Sequence, residues 1–190
     1  ALKKGKKKGV AKETLKILKQ KLVSVKAGDL PAHAPSQWEM ENLINHYQNG
    51  RYSEAESLAL AFTKQFPGHS FSWKILGGIY KELGRLNDAL AAGKKSIELD
   101  SEDNQAHNSL GVILEGLGRF EEAEASYRKA LLLNPDDCGV YYNLGNAMRE
   151  LKKFEEAAAA YQQAILVKSD YAEAHSNLGV ALQELGRSEE

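Results

Sequence analysis

A Leu-Gly pair returns every 34 residues, at Leu76-Gly77, Leu110-Gly111, Leu144-Gly145 and Leu178-Gly179. Other columns share the period: Ala55, Ala89, Ala123 and Ala157; Phe120 and Phe154; Tyr127 and Tyr161. Pro67 and Pro135 lie two periods apart. A fixed period of this length specifies a repeat architecture, in which stacked units bury a core that no single unit could bury. Glycine inside a helix costs ~1 kcal/mol relative to alanine. Its return at one helical position therefore marks a close approach of two helices. In the third unit the small partner is expected to be Ala123, with Leu110, Leu114, Tyr127 and Ala130 around the crossing.

Each unit reads as two helices. Ala106, Leu110, Ile113, Leu114 and Leu117 follow helical spacing. "GLGRF" (116–120) breaks this helix, with glycine in the left-handed conformation as its cap. "FEEAEASYRKALLL" (120–133) begins a second helix with acids in its first turn, as the helix dipole favours. "NPDD" (134–137) stops it. So short a connection makes the two helices antiparallel neighbours. Four prolines in 190 residues suit long helices and not a turn-rich β-sandwich.

The pattern of Trp73, Leu76, Gly77, Tyr80 and Ala89, then Leu110, Gly111, Ala123, Tyr127, Ala130 and Pro135, resembles the tetratricopeptide repeat. The fourth unit repeats it with Tyr141, Leu144, Gly145, Ala157, Tyr161 and Ala164. The resemblance covers residues 36–190, with units starting at 36, 70, 104 and 138 and a partial unit from 172. It implies an all-α, right-handed α-solenoid of antiparallel helix pairs that binds protein or peptide along its concave face. The units differ. Unit one has Leu43 for the glycine and Phe62 for a small residue, and opens on a capping box, Ser36 to Glu39. Gly93 replaces the tyrosine of unit two, so its second helix is expected to pack less well. Ser101 and Ser169 replace proline, so those turns are expected to be less rigid. "GRSEE" (186–190) aligns with "GRFEE" (118–122), leaving Leu178, Leu182 and Leu185 without a partner helix. Two expectations follow: the array continues beyond Glu190, or this edge supports self-association into a scaffold.

The concave positions are the second, fifth, sixth, ninth and twelfth of each unit. They make Lys74, Lys81, Gln105, Asn108, Tyr142, Asn143, Asn146, Arg149 and Asn177 the candidate peptide-binding residues. Asparagine both donates to and accepts from a peptide backbone, so it can hold an extended chain without demanding a sequence. Asn143 and Asn177 occupy one position in successive units, after Ser109. This is similar to the asparagine ladder in the repeat region of O-linked N-acetylglucosamine transferases, and the stretch 39–85 resembles repeats that precede transferase domains in larger bacterial proteins. An alternative role is thus recruiting acceptors for an enzyme outside these 190 residues. A carboxylate clamp of Lys and Asn for acidic C-termini is disfavoured, because Gly78 stands where its asparagine would be.

No catalytic constellation appears, and neither cofactor nor metal is expected. His107 and His175 share one repeat position and read as packing residues. His33, His46 and His69 form no metal-spaced pair. Glu121–Glu122 and Glu155–Glu156 lie at helix starts, where the dipole accounts for them. One cysteine, Cys138, builds neither a disulfide nor a thiolate zinc site and suits a reducing, cytoplasmic setting. No apolar run approaches the ~18 residues of a membrane span.

Residues 1–27 carry ten lysines and one acid, Glu13, whereas the remainder is acidic. A helix is expected over 10–26 from the stripe of Leu15, Leu18, Leu22 and Val25, followed by a linker at 28–35. Its plainest role is to cover the exposed edge of the first repeat. The alternatives are contact with anionic membrane or nucleic acid, which the lack of Arg and aromatics disfavours, and folding back onto the acidic array.

Overall fold

The computed structural model describes residues 34–188, and these form nine α-helices and no strand. They are α1 Gln37–Gln48, α2 Tyr52–Gln65, α3 Ser70–Glu82, α4 Leu86–Leu99, α5 Asn104–Gly116, α6 Phe120–Leu133, α7 Cys138–Glu150, α8 Phe154–Val167 and α9 Ala172–Ser188. The basic arm, the helix expected at 10–26 and nearly all of the 28–35 linker lie outside the described residues. Each helix packs on its neighbour in sequence, and successive odd-numbered helices α1, α3, α5 and α7 also touch. The result is an α-solenoid of helix pairs.

Local chemistry fixes the starts and stops. Ser36 caps α1 in a complete capping box: its hydroxyl accepts from the Glu39 backbone, and Glu39 accepts from the Ser36 backbone N–H at 2.7 Å. The Ser36 hydroxyl also donates to Glu39 Oε2 at 2.7 Å, and this bond, with the backbone one, holds the Glu39 carboxyl below its ordinary pKa. Asp103 and Asp137 cap α5 and α7, each accepting two backbone N–H groups. Within the first three units the turn carries a positive-φ glycine, at Gly50, Gly84 and Gly118. In the fourth unit Lys152 takes that conformation, at φ 58°.

The glycine column has a different physical basis from the expected Gly–Ala crossing. A Cβ on Gly111 would lie within 3.0 Å of three ring carbons of Tyr127, and one on Gly145 would meet Tyr161 in the same way. The glycine makes room for a tyrosine ring from the second helix, and both tyrosines are fully buried. Unit two has Gly93 in place of the tyrosine. There Gly77 faces the Ala89 carbonyl and the Gly93 nitrogen, both 3.6 Å from an added Cβ. The expected looseness of α4 is not found: Leu110 and Ile113 of the next unit fill the space beside Gly93.

The two turns without proline are also set. His107 Nε2 donates to the Ser101 carbonyl at 2.9 Å, and His175 Nε2 donates to the Ser169 carbonyl at 2.9 Å. Both histidines therefore tie down the turn, where the sequence had suggested packing between helices.

Candidate peptide-binding groove

The first helices α3, α5, α7 and α9 place the candidate residues along one side of the array. Four asparagines do not stand alone. Asn143 Nδ2 donates to Asn108 Oδ1 at 3.2 Å. Asn177 Nδ2 donates to Asn146 Oδ1 at 3.0 Å and to the Tyr142 hydroxyl at 3.2 Å. The Tyr161 hydroxyl also donates to Asn146 Oδ1, at 2.8 Å. Neighbouring units are thus laced together across the candidate groove. Each Asn–Asn pair still leaves amide donor and acceptor capacity unused among the described residues. Tyr142 packs in tilted contact with Tyr161 and Tyr171, with ring centroids 5.9 and 5.2 Å away.

The candidates at the N-terminal half behave otherwise. Lys74 Nζ sits 2.5 Å from Asp103 Oδ2, with both side chains almost fully covered, so its charge is neutralised within the array. Gln105 is 3% exposed, and its Nε2 reaches Asp137 Oδ2 at 3.4 Å. It holds a turn and is not presented to a ligand. The Tyr47 hydroxyl occupies the space over Gly78, where an added Cβ would come within 2.9 Å of it. This ring closes the slot that a clamp asparagine would use. Lys81 lies 3.3 Å from Glu82 and Arg149 lies 3.4 Å from Glu150, both partly exposed.

One groove residue was not among the candidates. Glu115, at the twelfth position of unit three, accepts from the Tyr127 hydroxyl at 2.8 Å. Burial raises its carboxyl pKa, against the lowering effect of that hydrogen bond. Its twelfth position in the unit was the sequence signal for it. Among the described residues no group of three or more His, Cys, Asp or Glu could hold a metal ion. No helix there is long and apolar enough to cross a membrane.

Tetratricopeptide-repeat family profiles match residues 43–104, 105–137, 126–159 and 145–186. The chain carries tetratricopeptide repeats. No curated protein sequence matches it. Among solved structures, the repeats superpose on a crystal structure of MamA with a TM-score of 0.72 at 24% identity, covering 78% of this chain and 81% of that one. The first repeat domain of Spaghetti (RPAP3), solved with the HSP90 peptide SRMEEVD, gives 0.60 at 24% identity over 62% and 93%. PilF of Pseudomonas aeruginosa gives 0.72 at 18% identity over 78% and 68%. At such identities the likeness is one of fold. The resemblance of the repeats to transferase arrays gains no support from these three structures.

Proposed function

We propose that this array is a protein-interaction scaffold that binds an extended peptide along the first helices of its third to fifth repeats. One observation carries the reading: the Asn108–Asn143 and Asn146–Asn177 pairs repeat along the groove and keep amide groups available for a peptide backbone. Tyr142 and Tyr171, half-buried and packed beside the buried Tyr161 at the far end, offer an apolar surface for a ligand side chain. A peptide-bound neighbour of the same fold supports this mode of use. The covered Lys74 and the Tyr47 ring over Gly78 speak against gripping an acidic C-terminus between the first two units.

The test is selection from a displayed library of unstructured peptides on the full chain, followed by anisotropy titration of the enriched peptides. Asn108→Ala combined with Asn143→Ala removes both halves of one pair, so neither amide is orphaned and folding is spared. Loss of about tenfold or more in affinity, near the 1.4 kcal/mol of one good hydrogen bond, with an unchanged Tm, supports the reading. Unchanged affinity overturns it.

A further inference from the structure

The first unit differs from its successors on the side that faces the chain's N-terminus. Trp38 is 71% exposed. The residues one period apart from it, Ser72, Ala106, Val140 and Ala174, are all buried. Leu58 is half-buried, whereas its counterparts Ala92, Ser126 and Ala160 are buried. In the later units the second helix of the preceding unit packs on the next first helix and covers this side. Beside Leu58 an open recess of about 480 Å³ is lined by His46, Ser53, Glu54, Ser57 and Leu58. His46 Nδ1 is buried there without a partner among the described residues.

The chemistry of this side limits what can cover it. Asn42 and Asn45 stand where later units bury Leu76 and Leu144, and Ile79 and Ile113. Asn49 Nδ2 donates to Asn45 Oδ1 at 2.6 Å. A fully apolar helix would strand these amides. Glu41 and Glu54 are exposed and make no ion pair among the described residues. The side therefore fits an amphipathic, basic helix.

We propose that residues 10–26 of the same chain form that helix and pack Leu15, Leu18, Leu22 and Val25 over Trp38 and the Leu58 recess. Lys12, Lys16, Lys19, Lys21 and Lys26 flank the stripe and complement Glu41 and Glu54. Seventeen helical residues are ~25 Å long, enough to run beside all of α1, which spans ~18 Å. The intervening residues 27–36 reach up to ~35 Å when extended, so the segment can turn back antiparallel to α1.

Trp38 is the reporter. The chain has two tryptophans, and Trp73→Phe in the full chain leaves Trp38 alone. Acrylamide quenching of its fluorescence is expected to be well below that of N-acetyltryptophanamide. Adding Leu18→Glu and Leu22→Glu is expected to raise quenching several-fold towards the free value. Equal quenching before and after those changes overturns the proposal. So does protection that is lost on dilution, which would assign the cover to a second copy. Far-UV circular dichroism confirms folding of the repeats. If the double charge variant unfolds, hydrogen exchange at residues 10–26 decides in the Trp38→Ala chain: loss of protection relative to the parent supports the contact, and unchanged protection overturns it.

Discussion

At the residue scale, the decisive contact is a glycine against a tyrosine ring. Gly111 and Gly145 each admit a ring that an added methyl would strike, whereas Gly77 and Gly179 do not. Overpacking of a dense core costs roughly 1–3 kcal/mol, and alanine's helix propensity returns ~1 kcal/mol. Gly111→Ala and Gly145→Ala are therefore expected to lower urea stability, while Gly77→Ala and Gly179→Ala leave it unchanged or raise it. The same ring sets up a pH effect. Burial raises the Glu115 pKa, so the folded state holds this proton more tightly than the unfolded chain. Its contribution to stability is present below the unfolded pKa and is lost as pH rises through the folded one. Glu115→Gln keeps an oxygen to accept from Tyr127 and removes the buried charge. Denaturant midpoints are expected to favour the variant at pH 7 and to converge with the parent at about pH 4. The column of glycines was visible in the sequence, but its reason was not. Ala123 is the obvious small partner on paper, and only the rotation of α6 against α5 shows that Tyr127 fills the space. The covariation was there to be read, since Gly93 lacks the tyrosine in the one complete unit where the glycine faces backbone.

At the element scale, helix limits followed from caps and turn residues, and most were readable. The exceptions came from residues that substitute for the usual turn chemistry. Lys152 takes the left-handed conformation that glycine takes in the first three units. That conformation costs a side-chain-bearing residue roughly 1–2 kcal/mol, and glycine returns part of this as unfolded-state entropy. Lys152→Gly is expected to stabilise the chain by about 0.5–1 kcal/mol, read from thermal unfolding. Asp103 shows a second case. Its carboxylate caps α5 and neutralises Lys74 of the preceding unit, so one residue serves two elements. Asp103→Ala would remove a cap worth ~1 kcal/mol and leave a covered lysine unpaired, for a loss of about 3 kcal/mol or more. Asp137→Ala strips a cap from α7 and leaves the buried Gln105 amide without that partner but orphans no cation, and is expected to cost about 2 kcal/mol, less than Asp103→Ala. Lys74 is a candidate binding residue from its sequence position because spacing along a helix says nothing about the turn of the next unit. The lacing of Asn108 to Asn143 was hidden for the same reason: lateral distance between helices 35 residues apart in sequence is a tertiary quantity.

At the scale of the array, the main helix contacts among the described residues run between neighbours. Helices pack on the next helix, and first helices touch the next first helix. Apart from the covered Lys74–Asp103 pair, ion pairs across units add little to this: Arg85 to Glu56 at 2.8 Å, Lys129 to Glu102 at 3.7 Å and Lys153 to Glu124 at 3.0 Å. In the column of Glu56 and Glu124, the second unit has Leu90. These three pairs are at least partly exposed and worth up to about 1 kcal/mol each. Stability in such an array is close to a sum of unit and interface terms, so damage stays local. Gly145→Ala drives a methyl into Tyr161 and strains the pairing of α7 with α8. Hydrogen exchange followed by mass spectrometry is expected to show lost protection in α7, α8 and α9, with α1 to α4 close to the parent chain. A single globular core would instead pass the loss to every helix. Uniform loss across α1 to α9 would mean that the joints between units outweigh the units, and that a peptide held on the third to fifth repeats would stiffen the first as well.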